Sequence, residues 1–257
     1  MSAVPRVDVE LVRRGLARSR GQAGELVRSG RVRVNGSAAA KPAVPVVAEA
    51  RIEVEPSQED GDVGRGAAKL RAALVDFASA GHRRGGPGAG PHVAGAQAVD
   101  VGASTGGFTQ VLLERGAERV VALDVGHGQL AESLAADPRV EDRPGLNVRD
   151  VNAEEIGGPF DLVVADLSFV SLTIVMSALA GLVRPGGDLV LLVKPQFEIG
   201  RERLRKDGVV RSEQLRDESV RGVRTAAERA GLTVNAVVPS RLPGASGNVE
   251  FFLWATR

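Results

Sequence analysis

The chain has 257 residues, which is room for one sizeable domain and a small one. Its 43% hydrophobic and 25% charged residues are ordinary for a soluble globular protein, and a net charge of +1 gives no global polyanion signal. Cysteine is absent, which excludes disulfides, thiolate metal sites and a cysteine nucleophile, and three histidines argue against zinc, so no metal is expected. The charge is unevenly spread. Ten Lys and Arg against six Asp and Glu leave residues 1–56 at +4, so the remainder carries −3, the asymmetry expected of a nucleic-acid-binding end. Arg6, Asp8 and Glu10 leave no apolar core for a signal peptide, and no apolar run is long enough to span a bilayer, so the cytoplasm is the expected location.

Residues 6–56 read as a small independent unit. Val7, Val9, Leu11 and Val12 begin a short helix that stops near Gly15. Ser19 is a good N-cap for a second helix, Arg20 to Arg28, ended by Gly30. Arg31 to Val34 alternates as a strand, Asn35-Gly36 is a turn signal, and Arg51 to Val54 closes the unit as a strand. Residues 57–65, polar and loop-like, are the expected linker. Ala67 to Ala80 follows as a helix with Leu70, Leu74 and Phe77 apolar and Lys69 in its first turn, where a cation is mildly disfavoured. Gly81 to Gly95 is rich in Gly and Pro and reads as a mobile loop.

Strands and helices then alternate. Ala98 to Asp100 is an apolar run, Phe108 to Arg115 a helix, and Val120 to Leu123 a second run ending on Asp124. A helix to about Ala136 comes next, and Asn147 to Asp150 reads as a short strand and its exit. Phe160 to Asp166 and Asp188 to Val193 are buried strands, the first ending on a carboxylate and the second delivering Lys194. A helix to Val183 lies between them. Gln196 to Arg211 is a charged loop, Ser212 to Ala230 a helix, and Leu232 to Val238 and Val249 to Trp254 the last strands. Such alternation implies an α/β fold with a parallel sheet covered on both faces.

The organising stretch is the turn Gly102-Ala103-Ser104-Thr105-Gly106-Gly107 between the first strand and Phe108. Its glycines let backbone approach a ligand closely, and the following helix N-terminus offers free N–H groups. Asp124, at the tip of the next strand, suits a ribose diol. Dinucleotides and S-adenosylmethionine both fit such a site. The dinucleotide spacing needs glycine where Ser104 stands, so the Asp100-x-Gly102 opening favours S-adenosylmethionine and looks like the first motif of class I methyltransferases. The expected cofactor residues are Asp100, Gly102 to Phe108, Asp124, Val125, Asp150 and Asp166.

Two resemblances extend this reading. Arg6-Val7-Asp8, Arg14-Gly15-Leu16, Ser19-Arg20 and Gly30 to Gly36 resemble the αL RNA-binding module first known from a ribosomal small-subunit protein. That resemblance implies that Arg6, Arg14, Arg18, Arg20, Arg28, Arg31 and Arg33 face structured RNA. Lys69, Asp166, Lys194 and Glu250 look like the Lys-Asp-Lys-Glu tetrad of ribose 2′-O-methyltransferases of the FtsJ fold. Arg65-Gly66, Asp166 to Leu172, Lys194 to Glu198 and Gly247 to Phe251 are similar to signatures of the TlyA subfamily, also labelled haemolysin-like. The family joins the two parts, and the resemblance covers nearly the whole chain. It implies an αL domain at 1–56, a linker at 57–65 and an FtsJ-like domain at 66–257. The latter would be a Rossmann-like, seven-stranded, mostly parallel sheet with its last strand antiparallel. The implied activity is S-adenosylmethionine-dependent methylation of cytidine 2′-hydroxyls in 16S and 23S rRNA, with ribosomal subunits as partners. Departures stand at Gly64, Ala67, His127 and Asp142 to Arg149.

A ribose hydroxyl keeps its proton near neutral pH, so in-line transfer needs alignment and charge stabilisation. Lys194 either stabilises the developing alkoxide or begins neutral and takes the proton, with Asp166 and Glu250 positioning it and Lys69 orienting the hydroxyl or its phosphate. The rival readings are an inactive RNA-binding assembly factor, which the intact tetrad opposes, and a membrane-active haemolysin, which the short apolar stretches oppose.

Overall fold

The computed structural model describes residues 4–17, 19–47, 49–55, 61–79 and 90–257, with Glu25 given by its backbone alone. Arg18, residues 56–60 of the expected linker, Ala80 and residues 81–89 of the Gly/Pro-rich stretch lie outside the described residues. The chain divides into two compact units, one up to Gly61 and one from Asp62.

In the first unit, α1 (Val7–Arg13) and α2 (Arg20–Arg28) pack against a three-stranded sheet of order β2-β1-β3. The strands are β1 (Val32–Val34), β2 (Ser37–Ala38) and β3 (Ile52–Val54). Val7 and Leu11, one helical turn apart, are fully buried with Ala23, Val27 and Val32. Ser19 Oγ accepts from Gln22 N at 3.3 Å, the cap its position predicts. Asn35 at φ +50° and Gly36 at φ +80° form the two-residue turn that matches hairpin twist.

The second unit runs α3 (Arg65–Ser79), β4 (Gln97–Val101), α4 (Gly107–Glu114), β5 (Arg119–Asp124), α5 (Glu132–Ala135), β6 (Val140–Pro144) and β7 (Phe160–Ala165). It continues with α6 (Leu172–Leu182), β8 (Val183–Val193), α7 (Pro195–Glu198), α8 (Glu213–Arg229), β9 (Thr233–Pro239) and β10 (Phe251–Thr256). The seven strands form one sheet of order β6-β5-β4-β7-β8-β10-β9. β10 pairs antiparallel with β8 and β9, and the other pairings of this sheet are parallel. The central strands are continuous apolar runs because helices cover both their faces. Trp254 is buried against Phe77 at 5.8 Å between ring centroids, and its Nε1 donates to Asp188 Oδ1 at 2.8 Å.

Four expectations are corrected. Asn147 to Asp150 is a turn, and the strand of that region is β6. β6 pairs only with β5, so this half-exposed edge carries no apolar run for a sequence reading to catch. The helix expected up to Ala136 shrinks to the single turn of α5, and the loop from Gln196 opens inside the short helix α7. The second unit begins within the stretch read as linker. Asp62 is buried there, with Arg71 Nη2 on its Oδ1 at 2.8 Å.

The topology fixes the place of the site. β4, β5, β7 and β8 end at one edge, delivering the loop after Val101, then Asp124, Asp166 and Lys194. β10 runs the other way with Phe251 opposite Val193, so Glu250 enters at that same edge.

Candidate active site

The glycine loop is shaped by close approach. Gly102 sits at φ +84°, and a Cβ there would stand 2.6 Å from Asp166 O. A Cβ on Gly107 would stand 2.9 Å from Ala67 N, so α3 and the start of α4 approach closely only because this residue is glycine. Ser104 adopts φ +48°, a left-handed conformation uncommon for a residue with a side chain. Its N donates to Asp124 Oδ2 at 2.8 Å, and Gly126 N donates to Asp124 Oδ1 at 2.7 Å. Asp124 is thus fixed at the tip of β5, and each carboxylate oxygen keeps a further lone pair for a ligand.

Two connected hollows flank this loop. One, of about 640 Å³, is lined by Gly102, Asp124, Val125, Asn147, Arg149 and Phe169 among others. The other, of about 390 Å³, is lined by Gly64, Ala103, Thr105, Phe108, Asp100 and Lys194 among others. Gly102, Ser104, Asp166 and Ser168 belong to both. Asp150 is exposed and is not among the lining residues; the loop after β6 enters the hollow at Leu146 to Arg149 instead. Gly106, at φ +91°, lies behind the loop, where a Cβ would strike Leu134.

Asp100 is fully buried below the loop. Its Oδ2 accepts from Thr109 N at 2.9 Å and Thr109 Oγ1 at 2.8 Å, while Oδ1 is buried with no partner. Burial pushes this carboxyl up to about 7, against the lowering effect of the Thr109 hydrogen bonds, with the nearby charges of Asp166 and Asp124 adding to the rise.

The four charged residues form two ion pairs. Lys69 Nζ donates to Glu250 Oε2 at 2.6 Å, and both side chains are buried, so Lys69 is no ordinary surface lysine. Lys194 Nζ lies 2.5 Å from Asp166 Oδ1. That contact is an ion pair outside hydrogen-bond geometry, and the ammonium also donates to Ser168 Oγ, 2.9 Å away. Lys194 is buried to 9% exposure, and Asp166 keeps 24% of its side chain open to the cleft. The first pair is closed and the second faces the hollow.

Ser168 and Glu198 lie in the runs Asp166 to Leu172 and Lys194 to Glu198, and nothing in the sequence alone marks them as site residues. Glu198 Oε1 accepts from Leu172 N at 2.9 Å and its Oε2 accepts from Ser171 Oγ at 2.5 Å, so it ties the segment after Lys194 to the segment after Asp166. Burial raises the Glu198 carboxyl despite these bonds. Asn248, also buried, accepts from Val210 N at 2.8 Å and fastens the charged loop beside Glu250. No periodicity marks such loop-to-loop contacts; only the fold reveals them.

Residues 63–257 match the FtsJ-like methyltransferase family and residues 5–52 match the S4 domain. The chain is 51% identical, over 99% of its length and 90% of the relative's, to the 16S/23S rRNA (cytidine-2′-O)-methyltransferase TlyA of Mycobacterium tuberculosis. The chain belongs to the TlyA family of FtsJ-like methyltransferases. It is also 34% identical to Hemolysin A of Brachyspira hyodysenteriae, over 96% of this chain and 97% of that one. A solved structure from Streptococcus thermophilus that carries a provisional hemolysin name superposes with a TM-score of 0.75 at 33% identity, covering 100% of this chain and 90% of the other. Among the described residues no helix is long and apolar enough to cross a membrane, and no three His, Cys, Asp or Glu side chains gather as a metal centre requires.

Within this TlyA chain, two departures from the family pattern meet in space. Gly145 N donates to Gly126 O at 3.1 Å, and a Cβ on Gly145 would stand 2.7 Å from His127 Nε2. His127 and the run from Asp142 therefore pack against each other at Gly145. At Gly64 a Cβ would stand 2.4 Å from Thr105 Oγ1, so glycine lets this segment close on the loop.

The S4 unit holds most of its expected arginines by acids or carbonyls. Arg6 Nε and Nη2 reach Asp8 at 3.0 and 2.9 Å, and Arg20 Nη2 reaches the same carboxylate at 3.3 Å. Arg14 is folded back, with Nε on Glu10 Oε1 at 2.9 Å and Nη1 on Ala50 O at 2.6 Å. Arg31 donates to Glu55 O and Arg33 to Glu55 Oε1, while Arg28 is exposed at the end of α2. Glu10 is held down to about 2 by its bonds from Arg13 and Arg14.

Proposed function

We propose that this chain is an S-adenosylmethionine-dependent ribose 2′-O-methyltransferase acting on cytidines of 16S and 23S rRNA in the cytoplasm. The first unit, up to Gly61, binds the RNA, and the second, from Asp62, transfers the methyl group. The observation that carries the reading is the pair of lysine–carboxylate contacts assembled beside a glycine loop, in a chain 51% identical to a relative named for this reaction.

The cofactor fits the residues present. Gly102 leaves backbone bare at the cleft, Asp124 has lone pairs for a ribose diol, and Val125, Asn147 and Phe169 line the hollow of about 640 Å³ beside it. The loop from Gly102 to Gly107, Phe108, Asp124 and Val125 would hold it. When bound, S-adenosylmethionine supplies an electrophilic methyl group on a sulfonium.

The remaining work belongs to the protein. Lys194, held by Asp166 and Ser168, places its ammonium in the cleft, where it stabilises negative charge growing on a ribose oxygen. Low exposure strengthens that interaction. Glu250, next to Lys194 by strand register, is occupied by Lys69, so Lys69–Glu250 is a closed brace behind the open pair.

The test is tritium transfer from labelled S-adenosylmethionine to purified ribosomal subunits and naked rRNA, with Lys194→Ala alongside. Alkali-resistant label in rRNA, lost in the variant, supports a ribose methyltransferase. Cofactor binding with no transfer to any RNA would move the weight to an assembly factor without catalysis.

A further inference from the structure

We propose that Asp8 is a positioning residue of the RNA-contact face: its hidden carboxylate clamps Arg6 and Arg20 into one two-guanidinium site for RNA phosphate. The inference rests on the RNA-binding reading of the first unit and adds to it an acid that works for RNA binding rather than against it.

The geometry separates hidden from displayed groups. The Asp8 side chain is 6% exposed, whereas those of Arg6 and Arg20 are 48% and 63% exposed. Arg6 precedes α1 and Arg20 opens α2, so nothing local brings them together. Asp8 does. Arg6 meets it through Nε and Nη2, and Arg20 through Nη2 alone. A guanidinium has five N–H donors, so both arginines keep donors for a phosphate fork. Two cations side by side repel, and two long free side chains lose rotamer freedom on binding. A carboxylate shared between them offsets the repulsion and imposes the order beforehand. Burial pushes the Asp8 carboxyl up, but the bonds and charges of Arg6 and Arg20 outweigh it and hold the group below the usual carboxylate range, hence ionised at neutral pH. Asp8 Oδ1 also accepts from Val9 N at 3.0 Å, a local contact that an asparagine side chain would retain.

Charge counting and positioning predict opposite signs. Removing a negative charge from a basic RNA face should tighten binding if only net charge matters. If Asp8 positions the arginines, removing it weakens binding. The experiment measures the affinity of the full-length protein for purified 16S rRNA at fixed salt. The variants are Asp8→Asn, Arg6→Ala/Arg20→Ala, and the triple combination, with thermal melting of each. Asp8→Asn is expected to weaken binding at least about tenfold, the lower end of the scale of one charge-assisted hydrogen bond. In the double-arginine background it should weaken binding no further. Tighter or unchanged binding by Asp8→Asn overturns the clamp. Equal weakening in both backgrounds also overturns it, because the effect is then a loosened fold. Wild-type affinity in Arg6→Ala/Arg20→Ala would instead remove the RNA-binding role of these arginines.

Discussion

Lys69 Nζ lies 2.6 Å from Glu250 Oε2 although 181 positions separate them in the chain. The pair joins α3 to the entry of β10 and is shielded from water. Breaking a buried pair leaves an uncompensated charge and costs roughly 3–5 kcal/mol, whereas replacing both partners with apolar residues is often neutral. Lys69→Met is therefore expected to lose stability on that scale in urea unfolding, and Lys69→Met/Glu250→Leu to recover most of it. Both variants should also transfer less methyl to rRNA, because Glu250 stands beside Lys194 by strand register and its brace helps to hold that lysine in place. Wild-type turnover by the stable double variant would make the pair a structural brace alone.

The open pair predicts a different pattern. Lys194 touches Asp166 and Ser168, and its pair faces the cleft where the Lys69–Glu250 pair is closed. Lys194→Ala should keep cofactor affinity within about twofold while kcat falls by roughly 10²–10⁴, the range of a preorganised charge or proton-transfer group. Ser168→Ala, which frees the ammonium from one orienting bond, should cost less, about tenfold in kcat. Isothermal titration and single-turnover transfer separate the two readouts, and an unchanged kcat in Lys194→Ala rejects its role.

What was legible in the sequence follows from periodicity and from charge at strand ends. The buried strands β7 and β8 announce themselves as apolar runs, and Asp166 and Lys194 stand out as charges at their tips. Lys69 stands out in the sequence as a cation in a helix's first turn and gains a role only through the resemblance; its burial is decided by β10 arriving alongside. β6 was missed because an edge strand with one neighbour carries no apolar signature. With the strand placed earlier, Asn147 to Arg149 line the cleft and Asp150 is exposed just beyond them. Glu198 and Asn248 bind loops to loops, a relation with no sequence period at all.

Asp100 gives a pH dependence whose sign is fixed. Its folded value near 7 lies above the unfolded 3.8, so the folded chain binds a proton that the unfolded chain has released. Stability then falls as pH rises from about 4 to about 7, by up to about 4 kcal/mol from this group. Asp100→Asn, which stays neutral throughout, should lack this slope. The melting temperature of wild type minus that of the variant is expected to drop between pH 5 and pH 8. A flat difference across that range would place the Asp100 carboxylate ionised in the folded protein.

Gly102→Ala tests the loop with a single methyl group. Two costs meet there. The conformation at φ +84° disfavours any side chain by roughly 1–2 kcal/mol. The added Cβ would also stand 2.6 Å from Asp166 O, a backbone atom that cannot swing aside as a side-chain tip could. Relief requires the loop or Asp166 to move, so one methyl disturbs both the cofactor cradle and the partner of Lys194. Gly116 separates the two costs, because it has the same φ of +84° while its nearest neighbour would be 3.8 Å away. Gly116→Ala should lose only the conformational part of the stability and keep wild-type cofactor affinity. Gly102→Ala should weaken S-adenosylmethionine binding at least tenfold and depress kcat as well. Binding calorimetry on the two variants decides it: equal, near-wild-type affinities would mean that the loop does not approach the ligand at Gly102.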